Sequence, residues 1–192
     1  MPPNMLPLTA NNTYNGKMIR MINAGDRKVM LRLNQWAAPR WIREWMMLAT
    51  RAGDGWLWIA LAFVLLLAGG TRRFDALGAA LASLAAGQLL FLVMKQWIGR
   101  ERPCATEQHC WARLLPPDRF SFPSGHTITA FAVAVPIGLY YPSLLAGLIF
   151  CAMSIAASRV LLGLHYLSDV LAGIVIGCTV GLTAFSLLGP GL

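Results

Sequence analysis

The chain is 192 residues long, 57% hydrophobic and only 12% charged, with a formal net charge of +8. Soluble domains carry roughly a quarter charged residues, so this composition excludes an ordinary soluble globule and describes one integral membrane domain, too short to split. The positive charge asks for anionic partners such as lipid headgroups or phosphate, and no basic stretch interleaved with aromatics offers a nucleic-acid stacking surface.

Residues 1–16 are rich in Pro, Asn and Thr and read as a disordered tail, without the basic-then-apolar pattern of a cleaved signal peptide. Residues 17–51 are a second unit. Met18, Ile22, Val29, Leu33 and Trp36 fall near one helical face. After Pro39, a second apolar stripe of Trp41, Ile42, Trp45, Met46, Leu48 and Ala49 runs beside Arg40, Arg43 and Glu44. Both predict amphipathic helices lying in the membrane interface, with a helical hairpin packed on the spans as the alternative.

Residues 52–192 read as the membrane-embedded domain, with apolar runs at 56–70, 76–94, 127–141, 143–162 and 166–188. The predicted fold is all-α, an integral membrane bundle of about five transmembrane helices. Asp54, between two glycines, is expected to cap the first span. The Ala and Gly of the second run suit close helix packing. Pro136 predicts a kink in the third, and Tyr140-Tyr141-Pro142 a turn with an interfacial aromatic anchor. Cys151 and Cys178 read as packing residues. A polar loop, 99–122, holds Cys104 and Cys110, which would pair in an oxidising compartment, and His109, which reads as solvent-exposed.

Three polar clusters interrupt this pattern at the ends of apolar runs. Lys95 to Pro103 closes the second, Pro123-Ser124-Gly125-His126 opens the third, and Ser158 to Asp169 lies between the fourth and fifth. Ionisable groups at a membrane are costly and mark function by default. Alternation of five spans brings Lys95, Arg102, Ser124, His126, Arg159, His165 and Asp169 to one side. A helix starting near His165 would set Asp169 one turn on, on the same face. Ser124 reads as an N-cap whose helix turns the N–H groups of Gly125 and His126 toward an anion. Ordinary helix caps and a structural histidine are the plainer readings of the same residues.

The three patterns Lys-x6-Arg-Pro, Pro-Ser-Gly-His and Ser-Arg-x5-His-x3-Asp, in that order over Lys95 to Asp169, resemble the signature motifs of the type 2 phosphatidic acid phosphatase family, which shares its site with vanadium haloperoxidases. The resemblance implies a membrane lipid phosphatase, similar to compact bacterial undecaprenyl-diphosphate phosphatases. It implies that His165 attacks phosphorus and Asp169 orients it. His126 would protonate the leaving oxygen and then assist water, while Lys95, Arg102, Ser124, Gly125 and Arg159 would hold the phosphate.

No metal or other cofactor is implied, and too few carboxylates accompany the motifs for a two-metal site. The partners are a membrane lipid substrate and the bilayer, with no required protein partner. Candidate substrates are undecaprenyl diphosphate, given a modest preference, phosphatidic acid and phosphatidylglycerol phosphate. Arg100, Arg113 and Arg119 would either add charge for a diphosphate or contact headgroups, and the second reading is slightly preferred. Phosphotransfer to another acceptor is the alternative, and a small transporter fits less well because charges cluster at helix ends.

Sidedness divides the indicators. The basic residues of 17–51 favour a cytoplasmic site, whereas the resemblance and the Cys104/Cys110 pair favour the periplasmic face of a bacterial inner membrane. The periplasmic face is the expectation.

Overall fold

The computed structural model describes residues 13–103 and 118–189, so Cys104, His109, Cys110, Arg113 and most of the N-terminal tail lie outside it. Among the described residues the α-helices are α1 Thr13–Gln35, α2 Arg40–Ala52, α3 Trp56–Ala68, α4 Arg73–Ile98, α5 Gly125–Tyr140, α6 Pro142–Leu161 and α7 Leu167–Leu188. Among the described residues the only β pairing is an isolated bridge between Glu101 and Phe120.

Each of the five apolar runs is a helix, α3 to α7. Three are long and apolar enough to cross a membrane alone: Gly70–Ile98, which includes α4, then α6 and α7. A fourth span forms if α2 and α3, bent by 62° at the intervening turn, count as one. The 16 residues of α5 make about 24 Å of helix, short of the roughly 30 Å hydrocarbon core.

Helix α5 is nevertheless the centre of the bundle, packed by α4, α6 and α7 and buried along most of its length. Small residues let the neighbours close in. On α7, Gly173, Gly177 and Gly181 form an i, i+4, i+8 stripe; a Cβ on Gly177 would meet Phe131 Cβ at 2.7 Å and Ile128 O at 2.8 Å. On α4, Ala76, Ala79, Ala80, Ser83 and Gly87 face inward. Pro136 lies inside α5 and removes the N–H that would bond the carbonyl of Ala132. Ser83 Oγ of α4 donates to that carbonyl at 2.7 Å, so the helix runs on through the proline.

The tyrosines at the α5–α6 turn tie helix ends together. Tyr140 is buried and donates to Leu188 O at 2.9 Å, and Tyr141 donates to Gly69 O at 2.8 Å.

The N-terminal unit is helical, but the buried face of α1 is rotated from the one the apolar spacing predicts. Among its described side chains Asp26 and Met30 are buried and Val29 and Leu33 half-buried, while Ile22, and Trp36 just past the helix, are exposed. Helix α2 packs on α6, burying Met46, Ala49 and Thr50, with the Trp45 ring tilted at 45° against Phe150, centroids 5.9 Å apart. Its Trp41 and Leu48 remain exposed.

Candidate active site

The polar clusters meet where the chain returns after α4. Arg100 O accepts a hydrogen bond from Ser121 N at 2.7 Å, and the Glu101–Phe120 bridge continues the pairing. This short antiparallel contact sets Arg102 and the Ser121 carbonyl against the turn between α6 and α7. In that turn Gly163 has φ +67°, a conformation strained for any residue with a Cβ. The chain doubles back there, so that Leu164 N and His165 N both bond Arg159 O at 3.0 Å.

His165 is buried and bonded at both ring nitrogens. Nδ1 lies 2.6 Å from Ser121 O, and Nε2 lies 2.9 Å from Arg102 Nη1. A carbonyl only accepts and a guanidinium only donates. The partners therefore assign the proton to Nδ1 and the lone pair to Nε2. Burial above all, then the charges of Arg159 and Arg102, pushes the imidazole down to about 4, against an opposing contribution from Asp169. The ring is neutral at physiological pH.

Helix α7 starts at Leu167, two residues past His165, and this changes the partner of Asp169. Asp169 Oδ2 is 3.8 Å from Nδ1, beyond hydrogen-bonding reach, and instead accepts from Tyr166 N at 2.9 Å in a capping box. Its Oδ1 accepts from Arg100 Nη1 at 2.7 Å.

Arg100 is engaged within the protein: it bridges Asp169 to buried Asp26 of α1 (2.7 Å) and also bonds Ser168 Oγ. Asp26 accepts from Ser168 through both N and Oγ. Nothing in the spacing of α1 marked Asp26, because a lone acid in a basic amphipathic helix looks like solvated surface.

The three candidate phosphate-binding cations converge from α4, the loop and α6. Lys95 Nζ is 2.5 Å from Asp118 Oδ2 and Arg102 Nη2 is 2.9 Å from Asp118 Oδ1. Asp118 lies in the polar loop before Pro-Ser-Gly-His. Although burial alone would raise its carboxyl, bonds and charge from Lys95 and Arg102 hold it below the usual carboxylate value. Arg159 is buried and donates Nη1 to Thr50 Oγ1 of α2 at 2.6 Å, while its Nε has no partner. An unpaired buried guanidinium N–H is costly, and an anion beside it would satisfy it.

Ser124 stands at the N-cap position of α5 but its side chain makes no capping bond. It is fully buried, and its Oγ accepts from Thr127 Oγ1 at 2.9 Å. At Gly125 a Cβ would meet the Phe91 ring at 3.1 Å.

His126, in the first turn of α5, donates from Nε2 to Asp54 Oδ1 at 2.7 Å, since a carboxylate only accepts. Asp54 does not cap α3, whose N-cap is Gly55 with no side-chain bond. A cavity of about 480 Å³ joins these groups. Arg102, Asp118, His126, Arg159 and His165 give it a charged end, and Leu84 and Phe91 of α4 an apolar wall. Among the described residues no cluster of three or more His, Cys, Asp or Glu is placed to hold a metal ion.

With this geometry in hand, a family model described as the PAP2 superfamily matches residues 76–190. The chain belongs to the PAP2 superfamily. The match takes in α4 to α7 and all three motifs, and leaves α1 to α3 outside it.

Among PAP2 relatives, the decaprenylphosphoryl-5-phosphoribose phosphatase of Mycobacterium tuberculosis is 34% identical over 66% of this chain and 68% of its own length. A lipid A 1-phosphatase of Rhizobium etli is 36% identical over 46% of this chain and 40% of its own length. The phosphatidylglycerophosphatase B of Bacillus subtilis is 38% identical over 47% of each. The chain thus spans less than half the length of these last two relatives.

Two solved structures share the fold. One is the transmembrane phosphatidylglycerolphosphate phosphatase of Bacillus subtilis, with TM-score 0.68 and 23% identity over 87% of this chain and 86% of that one. The other is LpxE of Aquifex aeolicus, with TM-score 0.65 and 22% identity over 88% and 93%. The protein is an all-α, multi-pass membrane member of the superfamily.

Proposed function

We propose that this chain hydrolyses a lipid phosphate monoester through a phosphohistidine on His165. The observation that carries the reading is the state of His165: neutral, proton on Nδ1, with its Nε2 lone pair turned to Arg102 at the charged end of the cavity. A phosphoryl oxygen taking over the Arg102 bond would leave Nε2 free to attack phosphorus. As the P–N bond forms, the P–O ester bond breaks and His126 gives its proton to the leaving oxygen. Water then attacks phosphorus, His126 takes its proton, the P–N bond breaks, and inorganic phosphate departs. Lys95, Arg102 and Arg159 hold the transferring charge. Asp169 acts on the His165 loop at a distance of 3.8 Å and through the Tyr166 N–H, with Ser121 O as the direct partner of Nδ1.

A monoester is favoured over undecaprenyl diphosphate because the described cations suffice for one phosphoryl group. Arg100 is committed to Asp26 and Asp169, and Arg119 pairs with Glu101 at the surface. The relatives are named lipid A 1-phosphatase, phosphatidylglycerophosphatase B and decaprenylphosphoryl-5-phosphoribose phosphatase, and none of these names specifies a diphosphate. The wall of Leu84 and Phe91 suits a tail that stays in the bilayer. Purified protein tested on matched polyprenyl monophosphate, polyprenyl diphosphate and phosphatidic acid should release phosphate from the monoesters with the higher kcat/KM. A tenfold preference for the diphosphate would reverse the assignment.

The site is proposed to face the periplasm, with α3 to α7 embedded in the membrane and α1 and α2 at the interface on the same side. Asp26 and Thr50 reaching the site from α1 and α2 support that shared side. Impermeant thiol reagents on intact cells test the face: Cys104 and Cys110 should label only after external reduction, and labelling only after lysis would put the site inside.

A further inference from the structure

Asp54 lies outside the family match, in the turn 53–55 between α2 and α3, yet it lines the cavity and touches His126. The turn is shaped to bring it there. Gly53 sits so close to the bundle that a Cβ would meet Ile155 Cγ2 at 2.9 Å and His126 Cδ2 at 3.1 Å. Gly55 has φ +119°, which a side chain rarely tolerates, so the chain can leave for α3 while Asp54 points back. One helical turn earlier, Thr50 accepts the buried Arg159 bond at 2.6 Å. Two separate bonds, Asp54 to His126 and Arg159 to Thr50, thus tie the α2–α3 unit to the site.

We propose that Asp54 is a positioning residue for His126, so that the acid–base group of the site is a His126–Asp54 pair completed by the N-terminal unit. The inference rests on the phosphatase reading above. With Nε2 held at 2.7 Å by the carboxylate, Nδ1 is the ring nitrogen left to face the leaving oxygen. In the first half-reaction the imidazolium gives its Nδ1 proton to the ester oxygen as the P–O bond breaks, and Nε2–H stays on Asp54. In the second, Nδ1 takes a proton from the attacking water and the carboxylate stabilises the imidazolium that forms. Asp54 itself gains and loses no proton. Its side chain is 56% exposed, and an ordinary exposed ion pair contributes little to stability. A purely structural role would therefore leave the pH profile unmoved.

The test uses the full chain in detergent micelles with dioctanoyl phosphatidic acid as probe. Asp54→Asn should lower kcat at least about tenfold, within the range for an impaired general acid, with KM changed less than about threefold. The alkaline limb of the kcat profile should move down by about one pH unit, because a neighbouring anion favours the protonated ring. Asp54→Glu should recover part of the rate, and Asp54→Asn should add no loss on a His126→Ala background. Wild-type kcat and an unmoved alkaline limb in Asp54→Asn, beside an inactive His126→Ala, would overturn the proposal and leave the phosphatase reading standing. Full activity of His126→Ala would overturn both.

Discussion

His165 is held in one tautomer by two partners that cannot exchange roles, Ser121 O on Nδ1 and the Arg102 guanidinium on Nε2. The same burial that fixes it pushes its pKa to about 4, against roughly 6.5 for a free histidine. The reactive neutral ring therefore persists well into acid. The acid limb that this group gives to kcat/KM is predicted near pH 4, and a limb near 6.5 would contradict the geometry. Stability follows the same sign: the contribution is complete above about pH 6.5 and is lost as pH falls toward 4, because the unfolded chain then binds the proton first. Asp118 bears on the proposed phosphate site, since it already pairs with two of its candidate cations, Lys95 and Arg102. Asp118→Asn should tighten competitive inhibition by inorganic phosphate about tenfold, equivalent to ~1.4 kcal/mol. Weaker inhibition would instead mean that Asp118 holds Lys95 and Arg102 in place for the substrate.

At the scale of elements, the α5–α7 contact depends on backbone approach. Gly177→Ala would force its methyl against Phe131 Cβ and Ile128 O at under 3 Å and should cost about 1–3 kcal/mol, as overpacking does. Thermal unfolding in detergent measures it, and an unchanged Tm would mean that α7 has room to shift. The helices α3 to α7 were legible because long apolar runs have one stable form in lipid. The convergence of Lys95, Arg102, His126, Arg159 and His165 was legible because helix alternation and three spaced motifs agree. Periodicity did not reveal that α1 buries Asp26, since the face is decided by a partner, Arg100, 74 residues away. Asp54 looked like a cap for the same reason: a Gly-Asp-Gly turn states a local preference, and only packing of α2 on α6 carries it to His126. The partner of His165 Nδ1 is a backbone carbonyl, and no residue type encodes which carbonyl that will be.

The whole molecule places a charged cavity end beside an apolar wall, at one end of a bundle whose other end is tied by Tyr140 and Tyr141. Lys95, Arg102, His126, Arg159 and His165 come from α4, α5, α6 and two connecting segments, so the site exists only in the assembled bundle. Asp26 of α1, Thr50 of α2 and Asp54 of the α2–α3 turn extend it into the segment that precedes the family match. The central claim is that the phosphoryl group passes through His165 Nε2. Purified protein mixed with a lipid monoester carrying labelled phosphate, quenched within one turnover and digested, tests it directly. The label should be acid-labile, stable in base and located on His165, and it should be absent from His165→Ala. Full turnover with no label on His165, or equal labelling of His165→Ala, would contradict the account.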